Sequence, residues 1–145
     1  MCEDRKTAVW NEKQWEREFQ TLMEIARGKL NPNWEYGEVV VLKTVKGNIY
    51  AAQIPNYQDT ALREPLENQC IQKMRAENDT EVFSCLATVN GKVPEILSWN
   101  FRSRLIEEKQ SNLKAMCFLW GGGENVRLRA FHELLPPNYT TKKGT

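Results

Sequence analysis

Five side chains bound the thiol and imidazole chemistry open to this sequence: Cys2, Cys70, Cys85, Cys117 and the single histidine, His132. A zinc site gathers several such ligands on one ion, and a nucleophilic dyad needs a base within hydrogen-bond reach. The cysteines stand singly, with no paired spacing, so neither a zinc ribbon nor a redox pair is signalled. Cys70, Cys85 and Cys117 each sit in an apolar segment, where a free thiol behaves as a small core side chain. They read as reduced core thiols of a cytosolic protein, and His132 as a partly packed imidazole. No metal and no cofactor are expected.

The elements that would position any site come from an ordinary globular composition. Of 145 residues, 41% are hydrophobic and 27% charged, with a net charge of +1. That fits one compact domain, residues 1–145, with 1–9 and 140–145 as flexible ends. It excludes collagen-like and low-complexity chains. So small a net charge points to neither nucleic acid nor an anionic membrane as partner. Met1 to Thr7 is charged, which gives no secretory signal, and no apolar run approaches the ~20 residues needed to span a bilayer. A cytoplasmic location is expected.

Apolar residues at Trp15, Phe19, Leu22, Met23 and Ala26 predict a helix from Trp10 to Arg27, capped by Asn11 and ended by Gly28. Val-rich Glu38–Thr44 and the following Asn48–Ile54 predict a hairpin turning at Lys46-Gly47-Asn48. Thr60–Glu77 returns to helical spacing, with Leu62, Leu66, Cys70, Ile71 and Met74 on one face and Pro65 tolerated in the first turn. Glu81–Val89 reads as a strand. A helix capped by Ser98 or Asn100 runs to about Lys109, burying Phe101, Leu105 and Ile106. Lys114–Trp120 and Val126–Ala130 are strands joined through Gly121-Gly122-Gly123, and Phe131–Leu135 is a helical turn stopped by Pro136-Pro137. A hairpin followed by βαβ crossovers makes an α/β protein: a three-layer α/β/α sandwich with a mixed five-stranded sheet.

Several strings, taken in this order, resemble the cytidine deaminase family, including its blasticidin S deaminase relatives. Phe131-His132-Glu133-Leu134-Leu135-Pro136 is similar to the family's closing Glu-Leu-Leu-Pro. Pro32-Asn33-Trp34-Glu35-Tyr36 is similar to the Pro-Tyr-Ser-x-Phe stretch before its first strand, and Gly47-Asn48-Ile49-Tyr50 to its Gly-Arg-Ile-Phe turn. Read without a gap from Pro32, the family's Cys-Ala-Glu triplet falls on Pro65-Leu66-Glu67, and Ile71-Gln72 also agrees. The resemblance runs from the first helix to Tyr139 and implies the same fold and a homo-oligomer, a dimer or tetramer; Trp10 and Trp120 near element ends fit such contacts.

The departures concern the metal. The resemblance implies one zinc held by the first residue of the triplet and two cysteines at a later helix start, with an open position for water. Here Pro65 stands first, and the second motif falls on Ser98-Trp99-Asn100-Phe101-Arg102, with Trp99 and Arg102 in the cysteine positions. Without zinc nothing lowers the pKa of the attacking water toward ~7. Cys70, Cys85, Cys117 and His132 are not placed to rebuild the site.

Glu67 matches the family's proton-shuttling glutamate, and it reads equally as a carboxylate near a helix N-terminus favoured by the dipole. The family's two sugar contacts fall on Ile54 and Asn56. What remains is a pocket of Tyr36, Asn56, Glu67, Trp99, Asn100 and Arg102, in which Trp99 could stack on a planar ligand and Arg102 grip a carboxylate or phosphate. Core packing for Trp99 and a surface ion pair for Arg102 explain those residues as well, and Arg127 with Arg129 marks one solvent or subunit face. Three functions fit: a zinc-free protein binding a small planar or anionic ligand, a metal-independent enzyme using Glu67 as acid/base, and a nucleoside deaminase with an unrecognised metal site.

Overall fold

The computed structural model describes residues 12–136. The elements are α1 (Glu12–Lys29), β1 (Glu38–Thr44), β2 (Ile49–Ile54), α2 (Thr60–Ala76), β3 (Val82–Val89), β4 (Pro94–Glu95), α3 (Trp99–Glu108), β5 (Met116–Trp120) and β6 (Val126–Ala130). Short 3-10 turns at Gln110–Lys114 and Phe131–Leu134 precede β5 and follow β6.

Five strands lie in the order β2-β1-β3-β5-β6, and the short β4 pairs with the end of β3. β1 is antiparallel to both β2 and β3, β5 to β6, while β3 and β5 run parallel through the α3 crossover. Side-chain alternation along β1 splits the core in two. Val39 and Val41 pack with Trp15, Leu22, Met23 and Ala26 of α1 on one face. Val40 and Leu42 pack with Ile71 and Met74 of α2 and with Phe101 and Leu105 of α3 on the other. The sheet is therefore mixed and sandwiched between helices, as expected. Each such fully buried aliphatic side chain contributes about 1.5–3 kcal/mol.

Local differences from the sequence reading have physical causes. α1 continues through Gly28 to Lys29, and the Trp10 and Asn11 expectations fall outside the described residues, as do Cys2, Pro137, Tyr139 and the ends 1–9 and 140–145. Asp59 caps α2 by accepting from the Leu62 N–H at 3.1 Å. Pro65 consequently lies inside the helix, beyond the first turn, where it leaves the Ala61 carbonyl without its helical donor. Leu62, in the first turn, is 38% exposed rather than buried. β5 starts at Met116 because Asn112, fully buried, ends α3 and aligns β3: it donates to the Thr80 and Leu105 carbonyls and accepts from the Val82 N–H. His132 is exposed rather than partly packed. Cys70, Cys85 and Cys117 are buried and free. Among the described residues no helix is long and apolar enough to cross a membrane.

Candidate functional site

Glu67 is the centre of the site, with 0% exposure. It sits two turns into α2, too far from the N-terminus for the helix dipole to carry its charge. Three side chains do so instead. Ser98 Oγ donates to Oε2 at 2.8 Å, Asn100 Nδ2 donates to Oε1 at 2.9 Å, and Arg63 Nη1 pairs with Oε2 at 3.2 Å. Ser98 also accepts from the Phe101 N–H at 3.1 Å, so one hydroxyl caps α3 and ties it to α2.

Arg63 extends the network to the sheet. Its Nη2 pairs with Glu38, the first residue of β1, and donates to the Tyr57 carbonyl at 2.8 Å. Burial works against the Arg63 charge, but hydrogen bonds and attraction from Glu38 and Glu67 outweigh it and hold the guanidinium further toward its charged form. Burial pushes the Glu38 carboxyl up, opposed by Arg63. Sequence reading missed both residues. The i,i+4 spacing of Arg63 and Glu67 was the available signal; Glu38 offered none, being a lone acid before a valine run.

The remaining predicted residues fall in two groups. Tyr36 and Asn56 form an isolated parallel bridge, the Tyr57 N–H donates to the Tyr36 carbonyl at 3.0 Å, and Asn56 Oδ1 accepts from the Gln58 N–H. Tyr36, 45% exposed, meets Tyr57 edge-on at 6.4 Å. Through Tyr57 this pair touches Arg63 and so the Glu67 network. Trp99 and Arg102 form the second group, with the guanidinium 5.2 Å from the indole centroid. Arg102 is 7% exposed; its Nε donates to the Leu97 carbonyl at 2.9 Å and its Nη1 to the Leu134 carbonyl, fastening the closing turn onto α3. Its electrostatic neighbours are the thiols of Cys85 and Cys117, register partners on β3 and β5, and burial draws its pKa down. Ile54 is fully buried and offers no polar contact.

The donor set does not fit zinc. Proline and tryptophan carry no free side-chain lone pair for a metal, and arginine stays protonated and cationic. Pro65 is moreover exposed on the outer side of α2. Among the described residues no group of three or more His, Cys, Asp or Glu is placed to hold a metal ion. Charge at Glu67 is balanced by a guanidinium.

No protein-family model and no curated protein matches this chain. Solved structures do. Cytidine deaminase from Mycobacterium leprae superposes with a TM-score of 0.61 at 14% identity, covering 81% of this chain and 97% of that one. The Burkholderia pseudomallei enzyme gives 0.59 at 17% identity, covering 83% and 98%, and the Bacillus anthracis enzyme 0.59 at 16%, covering 83% and 88%. At such identities the similarity shows the fold: a cytidine deaminase-like α/β arrangement.

Proposed function

We propose that this cytidine deaminase-like fold serves here as a binding module for a small planar or anionic ligand, without hydrolytic deamination. One observation carries the reading. The carboxylate that matches the family's proton shuttle is sealed from solvent, with both oxygens engaged by Ser98, Asn100 and Arg63. A general acid/base must reach the proton it moves, and this one is committed to holding α2 against α3. Aromatic surface remains at Tyr36, Tyr57 and the half-buried Trp99 for stacking.

Thermal-shift titration with cytidine, uridine and their monophosphates tests this. A ligand-dependent rise in melting temperature, lost in Trp99→Ala, is expected, with no absorbance change on prolonged incubation. Stoichiometric zinc in untagged protein, or absorbance loss on cytidine or blasticidin S, would overturn it. Sedimentation velocity reads the homo-oligomer that the family resemblance implies.

A second reading has its own support in the Ser98 hydroxyl bonded to Glu67, a pairing that resembles a nucleophile with its base. It makes the chain a metal-independent enzyme and requires that Glu67→Gln abolish a turnover while leaving the fold intact.

A further inference from the structure

The two edges of the sheet are treated differently. β6, at one edge, carries Arg127 and Arg129, charges of the kind that discourage pairing with another strand. β2, at the other edge, reads Ile-Tyr-Ala-Ala-Gln-Ile: six residues with no charge, no proline, and an uninterrupted register against β1. Its inner backbone groups pair with β1, and its outer ones point away from the sheet, where among the described residues nothing takes them up. They open into a groove of about 460 Å³. Ile25 and Lys29 of α1 wall it on one side, and Lys73 of α2 on the other, with Ala51 and Gln53 on its floor.

The groove is basic. Both lysines are exposed, neither makes an ion pair with a described carboxylate, and no acidic residue lines the cavity. Two copies of the chain meeting β2 to β2 would bring lysines against lysines. We propose that the β2 edge is a docking site for an extended acidic segment of a partner protein, which adds a strand to the sheet and places carboxylates on Lys29 and Lys73.

The geometry specifies the ligand further. Side chains of an added strand alternate between the two faces of the sheet. Gln53 marks the α1 face, donating to the Lys29 carbonyl at 2.7 Å, while Tyr50 and Lys73 lie on the α2 face. Carboxylates meeting both lysines must therefore stand at odd spacing in the segment. Even spacing sends both acids to one face.

Fluorescence anisotropy with the full chain and labelled peptides of about eight β-forming residues tests this. A peptide with two glutamates three apart should bind more tightly than its even-spaced isomer or its lysine counterpart, and lose affinity in high salt. Lys29→Glu/Lys73→Glu, two surface changes checked for folding by circular dichroism, should weaken the glutamate peptide roughly tenfold and capture the lysine peptide instead. Backbone N-methylation along the pairing edge of the peptide should abolish binding. Equal binding of all peptides, indifference to the charge swap, or full binding of the N-methylated peptide would overturn the assignment. Self-association of the chain that the peptide relieves would overturn it in favour of a second copy.

Discussion

Asn100 Nδ2 donates to Glu67 Oε1 at 2.9 Å, joining the first turn of α3 to the middle of α2 across the site. The bond fixes which way each helix faces, since Asn100 lies one residue past Trp99 and Glu67 one turn past Arg63. Removing its acceptor takes the shared partner from the Ser98 hydroxyl and the Asn100 amide and leaves Arg63 paired with Glu38 alone. Glu67→Ala is expected to lose about 3–5 kcal/mol, read as a drop of roughly 10 °C in thermal unfolding followed by circular dichroism. Unchanged melting would show the carboxylate to be held for chemistry rather than for the fold.

Arg63 compensates two buried carboxylates, so its loss strands both. Arg63→Met should destabilise by about 3–5 kcal/mol, and Arg63→Met/Glu38→Gln/Glu67→Gln should recover much of it by removing the orphaned charges. Urea midpoints of the single and triple variants decide this. A triple variant no better than the single one would mean that Arg63 acts through packing alone.

Asp79 lies in the turn after α2 and ties it to the β1–β2 hairpin, accepting from Asn48 at 2.8 Å and from Thr44 and Tyr50 at 3.1 Å. Burial pushes this carboxyl up, but those hydrogen bonds and the Lys46 charge outweigh it and hold it below the ordinary carboxylate value. A depressed folded pKa contributes stability that is present above the unfolded value of 3.8 and lost as pH falls through the lower folded value. Urea midpoints measured from pH 7 to pH 2 should therefore fall below about pH 4 in the parent protein. Asp79→Asn should start lower and fall less across that window.

Asn112 satisfies three backbone groups with one amide side chain. Asn112→Ala takes the side-chain partner from the Val82 N–H and the Thr80 carbonyl, leaves the Leu105 carbonyl with the Lys109 N–H alone, and should destabilise by about 2–4 kcal/mol. Hydrogen exchange should quicken first at Val82 and along the end of α3. Loss confined to β6 would contradict this account.

The elements were legible where period and punctuation agree. β1 and β5 end where the sequence says, because Gly47 (φ +90) and the Gly122–Gly123 pair (φ +99 and +60) adopt left-handed backbone that other residues avoid. Asp59 was a legible cap that was overlooked, and counting from it puts Pro65 beyond the first turn. Glu18 was not legible: a carboxylate on the apolar stripe of α1 is buried because Lys43 pairs with it at 3.2 Å and Ser84 donates to it. Both partners come from strands far along the chain. The site follows the same logic. Glu67 was identified by type and position, and Asn100 was placed in its pocket. Arg63 could be tied to Glu67 by its i,i+4 spacing, but Glu38 joins them only once α2 lies against the start of β1, a relationship no local spacing encodes.

Cys85 and Cys117 face each other at the seam where the sheet changes from antiparallel to parallel, while Cys70 borders the β2 groove. Burial pushes the Cys70 thiol up to about 12, so in the folded chain it is nearly unreactive toward alkylating reagents. The three positions form a natural clock of opening. A pulse of reagent marks Cys70 when α2 lifts from the hairpin edge, and marks the other two only when β3 parts from β5. Read by mass, the order of labelling would time the loosening of the outer helix against the rupture of the central sheet, with no engineered probe.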